Sequence, residues 1–164
     1  MDNNDILIRL RYALDIKDSD MIEIFKLGDM DVTKEELLKI LTKTQDGDEG
    51  EPNIPCTNLM LESFLNGFII FKRGRQEAKP GQSPKPPLAI KNDKSINNVV
   101  LKKLKIALSL TSEDMLSILE EAGATLSKSE LSAVFRKEGH RNYMVCGDRY
   151  VRNFLKGLAL RYRE

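Results

Sequence analysis

The chain has no tryptophan, one histidine and two cysteines, and aromatic residues make up only 6% of it. One histidine and two cysteines are too few soft ligands for a structural zinc or redox-metal centre, so no metal and no cofactor are expected. Cys56 and Cys146 lie 90 positions apart, which is no disulfide framework in a chain of this length. No run approaches 18 apolar residues, so no membrane-spanning helix is expected. The opening MDNNDI lacks the basic and apolar regions of a secretory leader, which points to a reduced, cytoplasmic protein. Phosphate-loop, HExxH and GxSxG patterns are also missing, and with them the chemistries they serve. No catalytic residue is assigned.

What remains is 41% hydrophobic and 31% charged, the balance of a soluble globular protein. Without tryptophan the core must come from leucine, isoleucine, methionine and valine. The abundance of leucine, methionine, lysine and glutamate favours an all-α fold. The net charge of +1 conceals a split. Residues 1–74 carry 9 Lys/Arg against 15 Asp/Glu (net −6), while residues 95–164 carry 12 against 8 (net +4). Such a split fits an anionic partner for the second half, or two halves that face each other.

The chain repeats itself. At an offset of 94, residues 4–43 and 98–137 share 12 identities in 40 pairs, among them Asn4/Asn98, Leu10/Leu104, Met21/Met115 and Leu37/Leu131. After a loop four residues longer in the first copy, the offset becomes 90 and pairs Cys56/Cys146, Phe64/Phe154, Gly67/Gly157 and Arg73/Arg163. The division is therefore a first helical repeat at 1–74, a linker at 75–94 and a second repeat at 95–164. Four of the six prolines fall in 75–93, which predicts part polyproline II and part coil. The SPKPP stretch there is better explained as spacer than as a ligand for an aromatic groove.

Each copy reads as four helices, and a module this small buries too little surface to be robust alone. Two tandem four-helix modules packed as a pseudo-symmetric pair are therefore expected. Helix one covers about 4–14 and 96–108, with one apolar stripe through Ile6, Leu7, Leu10, Ala13 and Leu14. Helix two covers about 18–27 and 112–122, with Asp18 and Ser112 as N-caps and Gly28 and Gly123 as stops. Helix three opens on TKEE at 33–36 and SKSE at 127–130, a capping box in both copies. Helix four covers about 57–72 and 147–162, with Val151, Phe154, Leu155, Leu158 and Tyr162 on a buried face. Gly67 and Gly157 sit inside it at a cost of about 1 kcal/mol each, which predicts the close approach of another helix.

The segments NNDILIRLRYALDIKDSDMIEIFKLG (3–28), FLNGFIIFKRG (64–74) and LSKSELSAVFRKEGHRNYMVCGDRYVRNFLKGLALR (126–161) resemble the YehS-like family of bacterial proteins, of unknown function. The resemblance spans the chain apart from the linker. It implies a duplicated, all-helical architecture and no activity.

Three functional readings follow. The first is a non-enzymatic binding or adaptor module with a protein partner. The second is a nucleic-acid or phosphate-binding protein working through its second copy. Arg149, Arg152, Lys156 and Arg163 fall along one face of the last helix, and Arg136, Lys137 and Arg141 precede it, with His140, Tyr143 and Tyr150 nearby. The first copy has Leu59, Glu62 and Asn66 where the second has Arg149, Arg152 and Lys156, so the basic stripe belongs to one copy. It is either open to a polyanion, or solvated, or docked on the acidic first copy. The third reading is a cysteine enzyme, with Cys146 at a helix N-terminus and His140 as its base. Gly50 stands where His140 would in the first copy, and cysteine is also a common small buried hydrophobe. Helices two and three also form a bihelical turn, but Glu35 and Glu36 make a poor surface for DNA.

Overall fold

The computed structural model describes residues 1–42, 53–74 and 88–163, so most of the proline-rich linker lies outside the described residues. Eight α-helices and no strand occur among them: α1 Asn3–Leu14, α2 Asp18–Leu27, α3 Lys34–Ile40, α4 Asn58–Arg73, α5 Ile96–Ala107, α6 Ser112–Glu121, α7 Lys128–Phe135 and α8 Asp148–Tyr162. A short 3₁₀ turn, Asp93–Ser95, leads into α5.

Local chemistry sets these boundaries. Thr33 and Glu36 close the capping box of α3, and Ser127 and Glu130 close that of α7. Helix two begins on its expected caps, Asp18 and Ser112, so the cap positions fall one residue earlier. Thr111, not Ser112, caps α6, bonding reciprocally with Asp114. Lys17 precedes α2 with no side-chain cap, because the Asp18 carboxylate turns to Arg11 instead. Gly28 does not supply the expected left-handed stop. Its φ is −88°, and Asp29 takes the positive φ of 66°, where Gly123 has 85° in the second copy.

Gly28 is required for another reason. A Cβ there would lie 1.8 Å from the Ser63 carbonyl oxygen, and one on Gly67 would lie 1.8 Å from that of Ile24. Helices α2 and α4 therefore cross backbone to backbone. Gly157 repeats the crossing against Ile118, with a Cβ-to-oxygen distance of 2.2 Å. The close approach predicted from the paired glycines is present in both copies.

The copies do not merely touch; they exchange helices. Helix α1 packs chiefly on α8 and α5 chiefly on α4, while the pairs α1–α4 and α5–α8 meet only slightly. Reciprocal contact of this kind is what an approximate two-fold axis produces. The last turns of helix four agree in both copies: Arg73 donates to the Ile106 carbonyl, and Arg163, just after α8, donates to that of Tyr12. One hydrophobic core consequently runs through both modules, from Leu7 and Leu10 to Phe154 and Leu158.

Candidate anion-binding face

Helix α8 buries Val151, Phe154, Leu155, Gly157 and Leu158 and leaves Arg149, Arg152 and Lys156 exposed. Tyr162, expected on the buried face, is 47% exposed because α8 ends there. The acidic first copy does not cover the basic stripe. The element beside it is α1, which brings another cation: Arg9, with Ile8 and Tyr12, lines a hollow of about 340 Å³ together with Leu155, Lys156 and Ala159.

The two-fold makes an internal control for this hollow. Its counterpart lies between α4 and α5, where Lys103 replaces Arg9, Glu62 replaces Arg152 and Asn66 replaces Lys156. There the charges are buried and satisfied. Lys103 Nζ lies 3.0 Å from Glu62 Oε2 and donates to Asn66 Oδ1. Glu62 also accepts the amides of Ala89 and Ile90, the latter at 2.8 Å, tying the chain before α5 onto α4. Burial pulls the Lys103 pKa below its ordinary value, against the opposing pull of Glu62. At the α1–α8 crossing the same three positions are all cationic.

Asp148 is the acid of α8 nearest this cluster, and it is already engaged. It accepts from Asn97 at 2.8 Å and meets the N-terminal ammonium at 3.2 Å. The Asn97 bond, the ammonium and Arg152 together hold its carboxyl below the usual range.

The other expected residues separate. Arg163 leaves the stripe: it bonds Tyr12 and Asp15 and stacks 4.2 Å over the Tyr12 ring, so it locks the two copies together. Arg136 and Lys137 line a different cavity, with Tyr143, against α5. Arg141 is exposed in the connector before α8. Tyr150 packs partly into the core, so the aromatic beside the stripe is Tyr12 of α1 instead. A pattern read along one helix could not bring in Arg9 or Tyr12, since the copies had to be docked first.

Two residues marked by the repeat but given no role prove central to the scaffold. Asn4 donates to the carbonyls of Ile40 and Ile54 and accepts the Cys56 amide; Asn98 does the same with Val134, Met144 and Cys146. Each asparagine ties helix one to the ends of the loop between helices three and four. Both cysteines are consequently enclosed, Cys56 7% and Cys146 2% exposed. Burial, reinforced by Asp2 and Asp148 respectively, pushes both thiols up to about 12. Each donates to a neighbouring carbonyl, Thr57 or Gly147. His140 accepts the Asn142 amide at Nδ1. Among the described residues no group of three or more His, Cys, Asp or Glu side chains could hold a metal, and no helix is long and apolar enough to cross a membrane.

Comparison with known proteins fits this architecture. No solved structure matches the chain. It is 40% identical to the uncharacterized protein YehS of Escherichia coli (strain K12), over 97% of this chain and 95% of that protein. Residues 3–74 and 97–164, one segment per copy, match the family described as protein of unknown function, DUF1456. The chain belongs to that family.

Proposed function

We propose that this is a non-enzymatic cytoplasmic module that binds a phosphate-rich polyanion, a nucleic acid, across the α1–α8 crossing. The supporting observation is the inequality of the two crossings. Where Glu62 and Lys103 neutralise each other beneath a strap of chain, Arg9 and Lys156 share a hollow in contact with solvent and Arg152 stands one turn along, while the carboxylate that faces Arg152, Asp148, is already held by Asn97 and the N-terminal ammonium. Cations that outnumber the carboxylates at a crossing repel one another. A strand of phosphates relieves that repulsion and releases its own counterions on binding. Arg149 extends the row by one turn, and Tyr12 offers an aromatic surface beside it. The buried thiols, protonated at neutral pH, speak for a structural role of the cysteines, and this favours binding over catalysis.

The test is titration of fluorescent single-stranded RNA and duplex DNA at several salt concentrations. With Arg9, Arg149, Arg152 and Lys156 each meeting a phosphate, log affinity should fall against log salt with a slope of about 2.8–3.6, from about 0.7–0.9 per contact. Changing Arg149, Arg152 and Lys156 to Gln together should weaken binding and flatten the slope without unfolding the protein. No binding tighter than about 100 μM, the weak end of non-specific association, would refute the proposal.

A further inference from the structure

A second hollow, of about 280 Å³, lies between α5, α7, the connector after α7 and residues 88–91. Its apolar walls are Leu88, Val99, Val134, Phe135 and Tyr143. Leu88 is 58% exposed, whereas Val99 and Val134 are buried, so Leu88 forms the rim and the valines the base. Lys91, Lys102, Arg136 and Lys137 line the same hollow. Its one acid, Glu138, already accepts from Asn92 at 2.9 Å.

The hollow is built rather than incidental. The Leu88 wall is held in place by Glu62, through the amides of Ala89 and Ile90, and Glu62 is itself fixed by Lys103. The floor is held by Asn98, which donates to the Val134 and Met144 carbonyls and accepts the Cys146 amide. The first copy has different residues at the matching positions: Asp5 stands where Val99 does, Ile8 where Lys102 does and Thr42 where Arg136 does. That exchange removes two cations and puts an acid in place of an apolar wall.

We infer that this hollow is a small-molecule site for a planar ring bearing a phosphate, of nucleoside monophosphate size. At about 280 Å³ the hollow lies just under the range of ligand pockets, which starts at about 300 Å³, so one small molecule at most is accommodated, with part of it left in solvent. Valine, phenylalanine and tyrosine suit the ring face, and four cations against one engaged carboxylate suit a dianion. This site is distinct from the α1–α8 crossing and stands or falls separately.

Adenosine monophosphate is the probe, followed by amide and methyl NMR shifts on the full chain. Saturable shifts should be confined to residues 88–102 and 134–143. Adenosine and inorganic phosphate should each bind at least about tenfold more weakly, as each forgoes one half of the recognition. Lys102→Gln with Arg136→Gln should weaken the nucleotide about tenfold or more with an unchanged melting temperature. The triple Gln variant of Arg149, Arg152 and Lys156 should leave it unaltered. Equal affinity for adenosine, loss of binding in that triple variant, or no saturable shift at millimolar ligand would each overturn the inference.

Discussion

The α4–α5 and α1–α8 crossings are one design carried out twice with opposite electrostatics. Helix α4 is buried on every residue from Leu61 to Ile70, including Glu62 and Asn66, because α2, α5 and the chain before α5 close over it. Helix α8 has the same position in the pair but buries only one face. The difference shows that duplication conserves the apolar and glycine contacts that close the fold, while the polar positions on top of them are free to diverge. One copy's helix four became the interior of the pair, and the other's became its cationic surface.

The largest expected contrast tests that division directly. Lys103→Met should cost about 3–5 kcal/mol in denaturant unfolding, because it leaves Glu62 buried without its counter-charge. Arg9→Met, the same change at the other crossing, should stay within about 0.5 kcal/mol, since it removes an exposed cation from a cationic cluster. Comparable losses at both sites would mean the crossings are not electrostatically distinct.

Where the copies agree, paired substitutions should agree as well. Asn4→Ala and Asn98→Ala each strand one amide and two carbonyls, and each should lose about 3–4 kcal/mol. A marked inequality between them would break the two-fold. Gly67→Ala and Gly157→Ala should both lower the melting temperature despite the helix-propensity gain, by about 1–3 kcal/mol of overpacking. The loss at Gly67 should be the larger, as its Cβ would meet backbone oxygen at 1.8 Å rather than 2.2 Å.

The smallest effect is pH-dependent. Both thiols are raised from 9.0 to about 12 in the folded state, so the folded protein holds their protons longer than the unfolded chain. Their contribution to stability is complete below pH 9 and is lost as pH rises through 12. Cys56→Ala with Cys146→Ala should flatten the alkaline decline, and each single variant should account for about half of the change.

Much of this was readable along the chain. The capping boxes at Thr33 and Ser127 are local, since a hydroxyl and a carboxylate three residues apart bond each other whatever surrounds them. The glycine pair at 67 and 157 was informative because a helix tolerates glycine only where something needs the space. Less local features were misread. Gly28 looked like a helix stop, whereas its function is to admit Ser63, and Asp18 looked like a cap, whereas Arg11 claims it.

The sequence by itself determined the duplication, the helix count and the cationic stripe on α8, because periodicity, capping and charge are properties of neighbours in the chain. Only the tertiary structure decided that helix one of each copy packs on helix four of the other. That exchange takes Arg163 out of the stripe, brings Arg9 into it, and buries Glu62 against Lys103. The physical reason is that a charge has its meaning from what lies within a few ångströms of it in space, and here those neighbours come from the other copy.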